Sequence, residues 1–194
     1  MLAAVILSGG ASRRMGSPKA LLAYQGRPFL EHLLEITAHA KISERRVVLG
    51  AHSEPIAKNI ALPPEEVVIN DHWERGQLSS IQAAILTLPA GTDGLLLCLI
   101  DHPLVSGALV NELIEQFYVT RAKIVLPVYE GRRGHPVIFS AALYDELLHA
   151  PMEKGARAVV WAHAEEVLEV PTNEEGCVLN LNDPETLLRA TGAE

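Results

Sequence analysis

Short apolar runs rich in β-branched residues recur along this chain at residues 2–7, 46–50, 66–70, 94–100 and 124–129, each bounded by turn-forming residues. Their length suits buried strands. Helical patterns fill the gaps: residues 29–40 place Leu30, Leu33, Leu34 and Thr37 on one face, residues 79–88 can start from a serine cap, and residues 106–120 follow Pro103. Such alternation predicts an α/β fold of three layers, a mostly parallel sheet with helices on both faces, and it places ligands beyond the carboxyl ends of the strands. Further along, residues 136–140 and 167–171 read as extra strands, residues 141–149 and 155–163 as helices, and a last helix starts near Pro184. The chain of 194 residues is read as one domain, residues 1–194, with 48% apolar residues to supply its core.

Charge narrows the partners. The formal net charge is −8, which argues against a nucleic-acid surface, yet the first thirty residues hold Arg13, Arg14, Lys19 and Arg27 and no acid. A local cationic segment on an acidic chain suits a small anionic ligand, although a solvated basic loop reads equally well on charge alone. No run approaches the ~18 apolar residues of a membrane span, and the N-terminus lacks a basic leader, so the expected location is the cytoplasm. Cys98 and Cys177 lie far apart and outside any Cys/His spacing, and both are read as small core residues.

Three segments carry candidate chemistry. The first strand runs into Ser8-Gly9-Gly10-Ala11-Ser12-Arg13-Arg14-Met15-Gly16-Ser17-Pro18-Lys19. Paired glycines let backbone N–H groups approach phosphate oxygens, and nearby cations neutralise them. The spacing is neither a Walker A loop nor G-x-G-x-x-G. Strand 94–100 delivers Asp101 to its carboxyl end ahead of His102 and Pro103, and such an aspartate reads alone as a helix cap, a turn residue or a metal ligand. His102 is read as a surface or helix-cap histidine. Near the C-terminus Asn180 and Asn182 share one side of an extended segment before Asp183 and Pro184, which start a helix.

The loop pattern G-G-x-S-x-R-M-G-x-P-K directly after an N-terminal strand resembles the signature of the nucleotidyltransferase family related to sugar-nucleotide pyrophosphorylases. That resemblance implies a Rossmann-like nucleotidyltransferase fold in which Arg14 and Lys19 contact the triphosphate, backbone at Leu7, Ser8, Gly9 and Gly10 faces the base, and Ser12 belongs to the loop. Arg13 falls on a variable position. Asp101 matches the family's D-x-P aspartate, implying a Mg²⁺ ligand, and Asn180 and Asn182 match its closing element, implying an acceptor-phosphate role with Asn182 as an open candidate for a second metal ligand. The stretch Gly76-Gln77-Leu78-Ser79-Ser80 resembles the family's G-x-x-x-S loop near base and ribose, which implicates Gln77, Ser79 and Ser80. Gly134-His135-Pro136 resembles an element of the molybdenum cofactor cytidylyltransferase branch and places His135 on the acceptor side, with Arg132 and Arg133 adding charge.

Together these imply an enzyme, with Arg14, Lys19 and Asp101 as its catalytic residues. The implied reaction is Mg²⁺-dependent transfer of a nucleoside monophosphate from an NTP, CTP by preference, to the terminal phosphate of molybdenum-loaded molybdopterin, with transient contact to a molybdoenzyme or its chaperone. A guanylyltransferase of the same pathway, a sugar-1-phosphate nucleotidyltransferase and a nonenzymatic nucleotide- or cofactor-binding chaperone remain open. Neither nucleic acid nor membrane is expected as a partner.

Overall fold

The computed structural model describes residues 1–191. Its spine is β1 (Leu2–Ser8), every residue of which is buried. A central strand covered on both faces has no reason to alternate, and this explains the unbroken run LAAVILS. Parallel to β1 on one side lies β4 (Ile42–Leu49), then β5 (Val67–Ile69) at the edge. On the other side lies β6 (Gly94–Leu99), also parallel. Next comes β9 (Val137–Ser140), antiparallel to both neighbours, followed by β7 (Ile124–Tyr129) and the parallel edge strand β10 (Val167–Pro171). The expected mostly parallel sheet is therefore present. Because β9 runs backwards, its first residues sit at the same edge as the carboxyl ends of β1, β4, β6 and β7. That reversal brings His135 to the ligand edge.

Two small pairings lie off the spine. The strands β2 (Ala23–Tyr24) and β3 (Arg27–Pro28) form a hairpin, and β8 (Arg132–Arg133) folds back on β7.

Helices cover both faces. Leu30 and Leu33 of α1 (Phe29–Ile36), Ile56 of α2 (Ser53–Asn59) and Leu109, Val110, Leu113 and Ile114 of α4 (Gly107–Thr120) fill one apolar layer against Ile6, Leu96 and Ile138. The opposite layer joins Ile81 and Ala84 of α3 (Gln77–Ile85), Leu147 of α5 (Tyr144–His149) and Val159 of α6 (Arg157–Ala162) to Val5, Leu95, Leu97, Ile124 and Phe139. The last helix, α7 (Pro184–Thr191), starts where Asp183 accepts from the Thr186 backbone N–H at 2.8 Å and from its hydroxyl at 3.1 Å. Cys98 and Cys177 are buried, as expected of core residues. Among the described residues no helix is long and apolar enough to cross a membrane.

Several boundaries depart from expectation for identifiable reasons. Helix α1 stops at Ile36 rather than residue 40, with Thr37 as its C-cap and the Thr37 hydroxyl donating back to the Leu33 carbonyl at 2.7 Å. Strand β4 begins at Ile42 rather than 46. The guanidinium of Arg45 donates to both carboxylate oxygens of Glu66 at 2.7 and 2.9 Å, so charged residues complete a strand whose apolar run starts later. Helix α3 starts at Gln77 with Gly76 as its cap, not from a serine, since Ser79 and Ser80 turn their hydroxyls inward to Asn70. Helix α4 has the serine cap that α3 lacks, with the Ser106 hydroxyl accepting from the Leu109 N–H at 3.1 Å. Helix α2, whose seven residues offer little periodicity, was not foreseen.

Candidate active site

The carboxyl ends of β1 and β6 define a cavity of about 240 Å³. One wall is Leu7, Gly9 and Gly10, another is Leu99, Ile100 and Asp101, and the third is Trp73, Gly76, Gln77 and Ser80 at the entry to α3, with Lys19 reaching in. Sequence-distant segments meet here because β1 and β6 are hydrogen-bonded neighbours, with Leu7 opposite Leu99 and the Ile100 N–H donating to the Leu7 carbonyl at 3.1 Å. A smaller recess of about 60 Å³ behind the loop is lined by Ser8, Gly10, Ser12, Lys19 and His52.

Local contacts hold the loop in shape. The Ser12 hydroxyl accepts from the Lys19 backbone N–H at 3.2 Å, the Ser12 carbonyl accepts from Met15 at 2.9 Å, and His52 Nε2 lies 2.9 Å from the Ala11 carbonyl. Close approach also needs Gly50. A Cβ there would stand 2.5 Å from the Gly9 carbonyl oxygen and 2.7 Å from Cβ of Trp73, so only glycine lets the end of β4 pass between the loop and Trp73.

The charged centre is compact. Lys19 Nζ lies 3.6 Å from Asp101 Oδ2 and hydrogen-bonds Asn182 Oδ1, and the Lys19 and Asp101 side chains are only 15% and 20% exposed. Asn182 is brought there by the backbone, since the Leu181 N–H donates to the Asp101 carbonyl at 2.9 Å and the Leu181 side chain is fully buried. Asn180 lies beside His102 and favours its protonated form. The two-residue spacing thus turns both amides toward the site, although the segment is irregular rather than a strand.

Other expected residues fall elsewhere. Arg13 and Arg14 are both exposed. Arg14 lies near Asp183, whose carboxyl is held below its ordinary value chiefly by the two Thr186 hydrogen bonds, with Arg14 adding a smaller attraction. Ser79 does not face the cavity: its hydroxyl donates to the His72 and Gly76 carbonyls and accepts from Asn70 at 2.9 Å. Ser80 also accepts from Asn70, but lines the cavity.

His102 corrects the surface reading. It is 3% exposed, and the cap of the following helix is Ser106 instead. Its Nδ1 donates to the Gly176 carbonyl at 3.4 Å, its Nε2 stands 4.0 Å from Asp101 Oδ1, and its ring packs 5.1 Å from that of His135. Burial pushes the imidazole below its usual value against the pull of Asp101. His135 is held lower still, at about 4, again chiefly by burial, and its Nδ1 has no hydrogen-bond partner among the described residues.

The loop before His135 is tightly packed. A Cβ on Gly134 would meet the Cys177 carbonyl oxygen at 2.5 Å, so this glycine serves packing against Cys177 rather than approach to a ligand. Arg133 is paired with Glu169 at 2.7 Å, and Arg132 reaches the Val178 carbonyl at 3.5 Å. His52, Trp73 and Ile100 were not singled out in the sequence. A glycine ending β4 was the one local signal that something must pass close there.

The description of a MobA-like NTP transferase domain matches residues 4–167. This chain belongs to that family. A molybdenum cofactor guanylyltransferase from Cereibacter sphaeroides is 28% identical over 96% of this chain and 93% of its own length. A protein named nicotine blue oxidoreductase from Paenarthrobacter nicotinovorans is 32% identical over 72% of this chain and 71% of its own. Among solved structures, Rv0371c from Mycobacterium tuberculosis superposes with a TM-score of 0.87 at 26% identity over the full length of both chains. A further structure of Rv0371c, described as a complex with manganese, superposes with a TM-score of 0.81 at 23% identity over 100% of this chain and 99% of its own. The chain is accordingly an enzyme of the nucleotidyltransferase family, with the α/β fold of that family.

Proposed function

We propose that this enzyme transfers a nucleoside monophosphate from an NTP to the terminal phosphate of molybdenum-loaded molybdopterin and releases pyrophosphate. The observation that carries the reading is the Lys19–Asp101–Asn182 cluster at the mouth of the glycine-lined cavity. An attacking phosphate monoester is already anionic near pH 7, so no general base is required. A monoester oxygen forms the new bond to the α-phosphorus, the bridge to the β-phosphate breaks, and pyrophosphate carries away the electron pair.

The residues fit a divalent ion, Mg²⁺ in this reading. An aspartate and an amide oxygen already gather around one ammonium, which is the donor chemistry of a hard cation. Among the described residues no group of three or more His, Cys, Asp or Glu side chains could hold a metal, so most ligands would come from nucleotide phosphates and water. Bound by Asp101, with Asn182 as a candidate second ligand, Mg²⁺ would neutralise charge on the phosphates. Lys19 adds a second positive charge, the amides of the loop at Gly9 and Gly10 orient the triphosphate, and Arg14 stands outside, free to close on it. The surroundings of Leu7, Trp73, Gln77 and Ser80 receive base and ribose.

CTP is the proposed donor, on the resemblance of the Gly76–Ser80 and Gly134–Pro136 segments to those of the cytidylyltransferase branch. GTP is the second reading, favoured by the guanylyltransferases among the relatives. A cytoplasmic location and a transient contact with the receiving molybdoenzyme or its chaperone complete the proposal. Single-turnover rates with each NTP and the molybdenum-loaded acceptor test it. CTP should lead, and a GTP preference of about tenfold, roughly 1.4 kcal/mol, would move the enzyme to guanylyl transfer. The oxidoreductase among the relatives names a different reaction.

A further inference from the structure

We infer that a second, larger cavity, on the α3–α6 side of the sheet, holds the body of the acceptor, and that Lys154, Arg157 and Trp161 recognise it as an anionic, planar heterocycle. The inference rests on the transferase reading for its reaction and on the cavity itself for its chemistry. At about 430 Å³ the space is within the range of small-molecule sites, about 300–1,000 Å³. Its floor is apolar, made by Leu97, Leu126, Val137 and Phe139 from three adjacent strands. That floor offers a surface for a flat ring.

The rim is cationic in a chain of net charge −8. Arg133 is neutralised by Glu169, whereas among the described residues Lys154 and Arg157 have no ion-pair partner. Glu153 lines the same space, which leaves the two free cations in excess over one acid. Helix α6 explains how the rim is presented. Arg157, Val160 and Trp161 stand three and four residues apart and all line the cavity, while Val159 turns into the core at 3% exposure. Trp161 is 60% exposed, an unusual position for the largest apolar side chain unless a ring or cation is to lie on it.

The two cavities adjoin. Gln77 lines both, and His135 of the larger one packs against His102, which stands beside Asp101. An acceptor seated over the apolar floor could thus extend its terminal phosphate toward Asp101 and Lys19, while a second anionic portion stays with Lys154 and Arg157.

The probe for the test is 6-hydroxymethylpterin monophosphate, followed by the anisotropy of its own fluorescence without nucleotide. The wild-type protein should bind it. Trp161→Ala should weaken probe binding by about tenfold or more, Lys154→Gln with Arg157→Gln should raise the acceptor KM by about as much, and the affinity for NTP should change by less than about twofold in either. All three side chains are exposed, so folding should survive, and a circular dichroism melt of each variant confirms it. Unchanged probe affinity and acceptor KM in the variants, with transfer to molybdopterin intact, would overturn the cavity assignment and leave the transferase reading standing. An equal loss of NTP affinity would also overturn it. Absence of transfer with every NTP, alongside probe binding that keeps the expected sensitivity, would support the cavity assignment and defeat the reaction.

Discussion

Lys19 and Asp101 stand 3.6 Å apart and are largely withdrawn from water, so each partners the other until a triphosphate arrives. Replacing Asp101 by Asn keeps the volume and removes the charge. We expect a folded protein whose divalent-dependent turnover falls about 10²–10³-fold, and wild-type turnover at limiting Mg²⁺ would refute the metal role. The three basic residues of the loop should separate in order. Lys19→Ala should do the most damage to nucleotide affinity and kcat, because Lys19 alone already reaches into the cavity. Arg14→Ala should follow and Arg13→Ala should be nearly silent, so Arg13 emerging as the most sensitive would contradict the placement of the phosphates.

At the level of elements, the packing of the β9 entry against the Cys177 segment is a precise requirement. The His135 N–H donates to the Cys177 carbonyl at 2.8 Å, and Gly134 leaves no room for a Cβ beside it. Gly134→Ala should lower stability by about 1–3 kcal/mol, measured as a shift in the urea midpoint, and an unchanged midpoint would show that the segment yields easily. Elements with strong apolar patterns were legible from sequence: β1, β6, β7, α4 and the loop after β1 stand where the pattern put them. Helix α2 was not, its seven residues carrying too little periodicity, and neither were the pairing of Arg45 with Glu66 and the inward turn of Ser79, because each depends on a partner on another element. The burial of His102 was hidden for the same reason. Its neighbours Gly176 and His135 reach it only after β9 has inserted antiparallel between β6 and β7. Nothing in the run around Lys154, Arg157 and Trp161 marked a cavity, since its floor comes from strands elsewhere.

For the whole molecule, burial of a neutral His135 ties stability to pH. Its folded value is about 4 against an ordinary 6.5. Above about pH 6.5 neither folded nor unfolded chain protonates it, and stability is unaffected. As the pH falls from there toward 4, the unfolded chain takes up the proton and the folded one resists, so His135 should cost up to about 1.4 kcal/mol per pH unit. Urea titrations of the wild type and His135→Gln between these limits should give a shallower slope in the variant, and equal slopes would mean that the site admits the proton. The central claim concerns which bond breaks. Incubating the enzyme, Mg²⁺ and molybdenum-loaded molybdopterin with CTP or GTP labelled on either the α- or the γ-phosphate follows that bond directly. The account predicts α-label in the pterin product and γ-label in pyrophosphate, both dependent on the acceptor and abolished in Asp101→Asn, whereas γ-label released as inorganic phosphate, or no transfer of α-label with either nucleotide, would contradict it.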